Sequence, residues 1–266
     1  MKEIVACVSN DNENINPIET IECIKAAGFS KVFIQWYNRD WKISQEEQLK
    51  HIRALGLDVV FAHLGYKDIN SIWEDNELGE SLVDYYQKDL AAMKKNNINL
   101  VIMHLTSYFT APMYNELGLK RLQKIVDYAD NLNIKVAFEN TKIKGYLEYV
   151  LGNIKNKNVG LCYDIGHDHA HFNDTLDLAK FKDRIIAVHL HDNFGKEDEH
   201  LLPFDGTINW RNSIRNLKEN GYNGPVTLEL IYWHKYTSMS PLAFYKKGYE
   251  IGQNIVAMFN SAENKK

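Results

Sequence analysis

The sequence predicts an α/β protein folded as a single (β/α)8 TIM barrel. Short apolar, β-branched runs recur along the 266 residues, and segments with helical periodicity separate most of them. The runs are apolar almost throughout, which predicts strands buried on both faces, as in a parallel sheet covered by helices. Eight such strands, alternating with helices over about 250 residues, are typical of this barrel.

Eight apolar runs are the predicted strands. They are, in chain order, EIVACV (3–8), KVFIQW (31–36), DVVFAHL (58–64), INLVIMH (98–104), IKVAFEN (134–140), VGLCYD (159–164), RIIAVHLH (184–191) and PVTLELI (225–231). Helical periodicity between them is clear in the segments 18–28, 81–96, 119–132, 210–221 and 244–259. Gly28, Gly56 and Gly221 follow helical runs, where a left-handed C-cap favours glycine. The connection 167–183 is predicted to be a loop plus a short helix.

An open, doubly wound sheet is the alternative fold. No G-x-G-x-x-G follows the first predicted strand, and this favours the barrel. The chain has five prolines and no Ser/Gly-rich tract, so no linker is evident. Residues 1–266 are therefore predicted to form one domain.

Composition and charge narrow the class of protein. A net charge of −4 provides no basic field, so we do not expect nucleic acid as a partner. The three cysteines are scattered, which fits a reducing cytoplasm better than a disulfide framework. No apolar run approaches the roughly 18 residues of a membrane span, and the start MKEIVACVSN lacks a signal peptide's apolar segment. We expect a cytoplasmic protein that does not enter a membrane.

Polar residues stand at the carboxyl ends of the predicted strands, where the active site of a barrel forms. A histidine, aspartate or glutamate stands at or near the carboxyl end of each strand from the third to the eighth. In chain order, the strand-end residues are Gln35 with Trp36, His63, His104, Glu139, Asp164, His189 with His191, and Glu229. A single histidine at a strand end is more often structural than a ligand. Six strands that each deliver such a residue to one end favour a metal site.

Glu139, Asp164, His189 and Glu229 are the predicted ligands of a divalent metal. Imidazole and carboxylate together suit zinc or manganese. Carboxylates crowded in a barrel mouth repel one another unless a cation neutralises them. Four protein ligands leave positions for two substrate oxygens, so the metal would polarise a carbonyl or activate water.

Several motifs together resemble one superfamily. They are FEN at Glu139, CYDIGH at 162–167, HLHDNFGKEDEH at 189–200, DGTINW at 205–210 and LEL around Glu229. In this order they resemble the xylose-isomerase-like TIM-barrel superfamily, over most of the chain. The superfamily contains sugar phosphate isomerases and epimerases as well as the endonuclease IV type of abasic-site nuclease (AP endonuclease family 2).

The resemblance implies roles for single residues. Glu139, Asp164, His189 and Glu229 match the shared metal ligands, and Glu139 and Glu229 match the glutamates that move the proton in ketose epimerases. His167 matches the contact to a substrate oxygen. The endonuclease IV branch binds further zinc ions, and its additional ligands match His63, His104, His167, Asp198 and His200. The resemblance therefore implies between one and three metal ions.

The sequence also departs from the epimerases. They place an arginine six residues after the metal-binding histidine, where this chain has Gly195 followed by Lys196. Lys196 is therefore predicted to contact the substrate, together with His63 and His167. Trp36 is also counted among the substrate contacts because it ends a predicted strand, where an aromatic ring either stacks on a sugar or packs against the helices. The nuclease branch is disfavoured by the acidic charge balance and by the lack of basic loops interleaved with aromatic residues.

Several assignments remain open from the sequence alone. His191 lies two residues after His189, on the same face of a strand, so either is the ligand; the H-x-x-D spacing favours His189. Asp198 and His200 are either ligands or solvated loop residues. Asp192 either orients a ligand or caps its loop, and His171 either lies in solvent or rims the cavity.

The leading functional hypothesis is a metal-dependent isomerase or epimerase of a small carbohydrate, with or without a phosphate. One glutamate would remove the proton next to a carbonyl to give an enediolate, and the other would return it. The alternative is a multi-zinc phosphodiesterase of the endonuclease IV type. A third hypothesis is a sugar-binding barrel without catalysis. The substrate, the metal and a possible homo-oligomer are not specified by the sequence.

Overall fold

Eight parallel strands form the centre of the part that a computed structural model describes, residues 2–9, 15–36 and 43–261. The strands are β1 Ile4–Val8, β2 Lys31–Trp36, β3 Asp58–Leu64, β4 Leu100–Met103, β5 Lys135–Glu139, β6 Val159–Asp164, β7 Ile185–His189 and β8 Val226–Leu228. Each strand from β1 to β6 pairs with the next strand in sequence, and β1 also pairs with β8. A parallel bridge between Leu190 and Leu228 joins the two remaining edges. The predicted (β/α)8 barrel is thereby confirmed.

The helices lie between the strands, outside the barrel. They are α1 Pro17–Ala26, α2 Gln45–Ala54, α3 Glu77–Lys95, α4 Glu116–Asn131, α5 Tyr146–Asn153, the short α6 Ile165–His167, α7 Trp210–Glu219 and α8 Pro241–Ser261. Local sequence starts them: Ser44 and Glu47 form a reciprocal capping box on α2, and the Asn76 side chain caps α3. Gly28 and Gly56 have φ values of 107° and 66°, as predicted for glycines that end α1 and α2.

The core has two layers. The larger layer packs the strands against the helices. The smaller layer fills the barrel itself and consists of Val5, Cys7, Phe33, Phe61, Ile102, Ala137, Cys162 and Ala187. Phe33 and Phe61 stack there with ring centroids 4.7 Å apart. This inner layer closes the barrel below the polar strand ends and leaves its carboxyl end open.

Side-chain alternation places the polar residues above the inner layer. Successive residues of a strand point to opposite faces, so the residue two positions after an inner-core residue points inward again. Phe61 is followed in this way by His63, Ala137 by Glu139, and Ala187 by His189. The strands thus deliver their last inward-facing side chains to one level at the top of the barrel.

The connection between β6 and β7 begins with α6 and continues through a π-helical turn, Asp168–Phe172, and a 3-10 turn, Leu178–Phe181. This confirms the predicted loop plus short helix. Asp168 holds the connection together, since its carboxylate accepts hydrogen bonds from the Tyr163 hydroxyl (2.7 Å) and the Leu176 backbone N–H (3.1 Å). Among the described residues, no helix combines the length and apolarity that crossing a membrane requires.

Candidate metal centre

The four predicted metal ligands meet at the carboxyl end of the barrel. Glu139, Asp164 and His189 are the last residues of β5, β6 and β7, and Glu229 directly follows β8. Each of the four offers a ligand atom, and these atoms all lie within 4.8 Å of one another. All four residues are buried, with Asp164 and His189 fully excluded from solvent. Hence the structure brings the predicted quartet together.

His189 lies at the centre of this quartet. Its Nδ1 is 3.0 Å from Glu139 Oε1, 3.6 Å from Glu229 Oε2 and 3.8 Å from Asp164 Oδ2. The ring is held from below, because it stacks on Phe33 with centroids 5.1 Å apart. Three carboxylates around one buried imidazole carry more negative charge than a single histidine neutralises, so the donor set fits a divalent cation.

A second group flanks the quartet at Glu139. His63 Nε2 and His104 Nε2 each lie 3.1 Å from Glu139 Oε2. His63 Nδ1 lies 3.0 Å from the carbonyl oxygen of Leu64. A carbonyl oxygen can only accept a hydrogen bond, so Nδ1 carries the proton and donates it. A neutral His63 therefore directs the lone pair of Nε2 at a carboxylate oxygen. That arrangement requires a proton or a metal ion between the two atoms, as in metal sites whose histidines donate their other N–H to a carbonyl.

A third group surrounds Asp198. Its Oδ2 lies 3.0 Å from His167 Nε2 and 3.4 Å from His200 Nε2. The His167 ring is oriented like that of His63, because its Nδ1 lies 2.9 Å from the carbonyl oxygen of Asn140. Asp198 and His200 thus face the cavity and are not solvated loop residues.

His191 also belongs to the centre. Its Nε2 is 3.1 Å from Asp164 Oδ1 and 3.7 Å from Asp198 Oδ1, and its ring stacks on that of His200. His189 and His191 therefore both contact the carboxylates. The H-x-x-D spacing favours His189 as the ligand, but the structure places both histidines where they could bind metal. His191 offers ligand atoms to two further groups, one with Asp164 and His167 and one with Asp198 and His200.

Unsatisfied polar atoms also support a cation site. Among the described residues, His189 Nε2, His191 Nδ1, Asp198 Oδ1 and His200 Nδ1 are buried and have no hydrogen-bond partner. Native proteins rarely leave buried polar groups without a partner unless an ion or water completes them. Asp198 Oδ1 lies 3.7 Å from His191 Nε2, and His200 Nδ1 lies 3.7 Å from Glu229 Oε2. These two atoms face other candidate ligand atoms at a distance that a shared cation would bridge, and they carry the support for a cation site.

The charges of the centre shift its pKa values. Burial raises the pKa of Glu139, but the imidazoles of His189 and His104 more than offset it and hold this pKa well below its usual range. Burial lowers the pKa of His200, but Asp198 and Glu229 raise it to about 9. Without metal, the His200 imidazole thus retains a proton that metal would displace, whereas burial lowers the pKa of His104 and favours its neutral form.

Gly166 in the motif DIGH allows His191 to approach α6. A Cβ at position 166 would lie 1.9 Å from Cε1 of the His191 ring, so only glycine fits. Asp164 also starts this short helix, because its Oδ1 accepts a hydrogen bond from the His167 backbone N–H at 2.7 Å. The motif therefore couples the positions of three candidate ligands.

Asp192 organises the loop that carries Asp198 and His200. Its carboxylate accepts hydrogen bonds from the backbone N–H groups of Asn193, Phe204 and Ile208 and from the Trp210 indole N–H, at 2.9, 3.0, 3.2 and 2.7 Å. The carboxylate is fully buried, and these four hydrogen bonds occupy both of its oxygens. Of the two roles considered for Asp192, the structure therefore supports the loop cap.

A cavity of ≈ 710 Å³ opens above the centre. Glu139, Glu229, His63, His104, His167, Asp198 and His200 line it, together with Lys196. Tyr66 stacks on His104 in the wall, with centroids 4.0 Å apart, and Trp233 lies near His200. Lys142 and Phe109 also line the cavity and were not singled out from the sequence. Lys142 comes three residues after Glu139, at the same strand end. Its position in the sequence is therefore compatible with a place in the wall of the cavity.

The prediction for Trp36 requires correction, since this residue does not line the cavity. Its indole N–H donates to Asp89 Oδ1 of α3 at 3.2 Å, and its ring packs in the outer core. Trp36 points to the opposite face of β2 from Phe33 and Gln35, as alternation along the strand demands. Gln35 instead lines the cavity.

Comparison with curated proteins finds relatives of different kinds. The chain is 27% identical over 187 residues to an uncharacterised protein of Methanocaldococcus jannaschii, with 64% of each chain covered. It is 25% identical to a probable endonuclease 4 of Thermoplasma volcanium over 62% of this chain and 63% of that one. It is 24% identical to an inosose isomerase of Halalkalibacterium halodurans over 82% of this chain and 84% of that one. The chain spans less than two thirds of the length of the first curated relatives that it matches.

Solved structures share the barrel. A D-tagatose 3-epimerase-like protein superposes with a TM-score of 0.75 at 22% identity, covering 98% of this chain and 99% of that one. The IolI protein with a bound zinc atom superposes with a TM-score of 0.78 at 17% identity, covering 97% and 99%. These likenesses establish the fold. The family model described as xylose isomerase-like TIM barrel matches residues 21–248, and the chain therefore belongs to this family.

Proposed function

We propose that this protein is a divalent-metal-dependent isomerase or epimerase of a small carbohydrate. The observation that carries the proposal is the buried quartet Glu139, Asp164, His189 and Glu229 at the floor of an open cavity of ≈ 710 Å³. A cavity of this size suits a small molecule. The similarity to an inosose isomerase along 82% of the chain supports the same class of reaction.

The quartet would hold the metal. When bound, the metal supplies an electrophile that holds a substrate carbonyl and a neighbouring hydroxyl. Glu139 and Glu229 border the same cavity from β5 and β8. In the proposed reaction, one carboxylate takes the proton from the carbon next to the carbonyl, and the other returns a proton.

His167 would position the substrate. Its ring is buried and oriented by the Asn140 carbonyl oxygen, while its Nε2 side faces the cavity beside Asp198. An oriented imidazole can contact a substrate oxygen without losing rotational freedom on binding. This role agrees with the position of His167 in the D-x-x-H motif.

The test is exchange of substrate hydrogen with solvent in deuterated water, followed by NMR over a panel of aldoses and ketoses. We expect metal-loaded wild type to exchange one hydrogen next to a carbonyl, and Glu139→Gln and Glu229→Gln to lose this exchange by at least about 10²-fold. Zinc and manganese contents of each variant, measured by elemental analysis, separate loss of the base from loss of metal. Undiminished exchange in both variants would refute the assignment. Binding of a sugar by wild type without exchange would favour the non-catalytic barrel.

A multi-zinc phosphodiesterase is the second candidate, and one specific observation favours it. The groups around Glu139 and Asp198 add His63, His104, His167 and His200 to the quartet, more histidines than a single metal needs. Clustered metals can stabilise both attacking and leaving oxygens of a phosphodiester. Anomalous scattering at the zinc edge, together with cleavage of a duplex containing one abasic site, tests it. Three metals with cleavage would favour this candidate, and one metal with hydrogen exchange would favour the isomerase.

A further inference from the structure

We propose that one wall of the cavity is an anion subsite, formed by Lys142, His171 and Lys196, that binds the phosphate group of a phosphorylated sugar. The inference deepens the proposed function and rests on it, because it names the class of substrate. The subsite would hold the unreactive end of the molecule while the metal centre holds the reacting carbons.

The three side chains belong to one side of the barrel mouth. Lys142 follows β5, His171 follows β6 and Lys196 follows β7, and these three strands are neighbours in the sheet. All three residues line the same cavity. The ring centroid of His171 is 5.9 Å from that of His167. The subsite would therefore lie beside the group formed by Asp198 and His167.

The donors of this wall are free to bind an anion. Within the described residues, neither Lys142 nor Lys196 forms a hydrogen bond or an ion pair, whereas other lysines such as Lys247 are paired with carboxylates. His171 Nε2 is buried and also has no hydrogen-bond partner. Cations that face a cavity without carboxylate partners favour binding of a negatively charged ligand.

Aromatic contacts also link members of this wall. The Lys142 ammonium lies 5.4 Å from the ring centroid of Phe109, and the Phe109 ring meets that of His171 edge-on at 5.6 Å. A cation held over an aromatic ring loses less conformational freedom when it binds a ligand than a lysine in open solvent. Phe109 thus links two of the three donors.

Charge distribution in the cavity selects the kind of anion and its orientation. The floor carries Glu139, Asp198 and Glu229, which repel a phosphate unless metals neutralise them, whereas the wall carries the two ammonium groups. Glu197, next to Lys196 in the chain, also lines the cavity, but within the described residues it forms no ion pair with either lysine. A phosphate monoester has a charge near −2 and three acceptor oxygens, which match two lysines and one imidazole N–H. A carboxylate has one charge and would leave one lysine unpaired.

The test is calorimetric titration of the metal-loaded protein with matched pairs: D-ribulose 5-phosphate against D-ribulose, and D-fructose 6-phosphate against D-fructose. We expect the phosphorylated member to bind about 10- to 100-fold more tightly. The double variant Lys142→Ala/Lys196→Ala should lose most of this preference, measured as the ratio of the two affinities within each pair. The matched control is Lys155→Ala/Lys157→Ala, which removes the same charge from exposed residues before β6, at the opposite end of the barrel, and should retain the preference.

Three outcomes would overturn the subsite. First, wild type could show no preference for the phosphorylated sugars. Second, the double variant could retain the full preference, which would mean that the metals alone bind the phosphate. Third, D-gluconate could bind as much more tightly than an uncharged sugar as the sugar phosphates do, which would indicate a general carboxylate site. Hydrogen exchange in the same samples keeps the two proposals apart. A lysine-dependent preference without exchange leaves the subsite standing and contradicts the isomerase. Hydrogen exchange with unphosphorylated sugars, without any preference for phosphorylated ones, would support the isomerase and contradict the subsite.

Discussion

At the scale of single residues, the orientation of two histidines carries most of the chemical information. His63 and His167 each direct Nδ1 at a backbone carbonyl oxygen, at 3.0 and 2.9 Å, and Nε2 at a carboxylate. The carbonyl fixes the position of the proton in the neutral ring. A proton or a metal must therefore occupy the space between each Nε2 and its carboxylate, and these two species compete.

This competition predicts how zinc binding depends on pH. The pKa of His200 is about 9 in the metal-free protein, where Asp198 and Glu229 outweigh burial, and the pKa of His167 is also raised. A proton occupies the His200 ring below about pH 9 and must leave when zinc binds, so zinc affinity should rise with pH from 6 to 8. Calorimetry in buffers of different ionisation enthalpy should count at least one proton released per zinc at pH 7. Binding without proton release would contradict the assignment of these ligands.

The same shift has a consequence for the stability of the metal-free fold. A histidine whose pKa is raised on folding stabilises the folded protein below its unfolded value of about 6.5. For His200, this contribution is lost as pH rises through about 9. Metal bound to the same ring would replace this contribution over the pH range in which the proton leaves.

Replacement of Gly166 by alanine should weaken metal binding. The new Cβ would lie 1.9 Å from the His191 ring, so the ring or α6 must move and the carboxylates beside it would be displaced. We expect Gly166→Ala to retain less than half of the wild-type metal, measured by elemental analysis after dialysis. Gly152→Ala in α5 is the control, because nothing lies within 4 Å of a Cβ there. The control should keep its metal and change stability by no more than about 1 kcal/mol. Full metal content in Gly166→Ala would contradict the prediction.

At the scale of elements, strand alternation explains which site residues could be predicted. The ligands on β5, β6 and β7 stand two residues after inner-core residues, and both positions are inward. The strand-end position of Trp36 suggests a cavity residue, but its parity with Val32 and Ile34 predicts the outer face, where its ring packs. For residues within a strand, alternation therefore predicts the face better than nearness to the strand end does.

Asp89 of α3 meets Trp36 on that outer face, and the contact predicts a pH effect on stability. Burial raises the pKa of Asp89 to about 6, although hydrogen bonds from Trp36 and Tyr85 partly oppose it. The unfolded carboxyl ionises near 3.8, so folding becomes less favourable as pH rises from about 4 to 6 and stays so above. We expect Asp89→Asn to stabilise the protein by about 1–3 kcal/mol at pH 7.5 and by much less at pH 4. Urea unfolding at both pH values measures this, and equal effects would contradict it.

At the scale of the whole molecule, local patterns predicted the barrel and the quartet, but they could not place the loops. The order of apolar runs is enough for a closed parallel sheet, whose topology then brings the strand ends together. Asp198 and His200 follow no strand directly. Their position depends on the bonds between Asp192 and residues as far along as Trp210, which no local pattern reveals. Lys142 lacked a motif, and only the neighbouring strands bring it near His171 and Lys196.

The cysteines of the inner layer below the metal centre would report on opening of the barrel through their rates of thiol labelling. Cys7 and Cys162 are fully buried in that layer, whereas Cys23 is partly exposed on α1. A thiol reagent should therefore modify Cys23 quickly and the other two only when the strands separate. Metal that joins β5 to β8 should slow those two reactions, and a chelator should accelerate them without changing the rate at Cys23. Labelling followed by mass spectrometry resolves the three sites, and equal slow rates with and without chelator would show that metal does not hold the strands together.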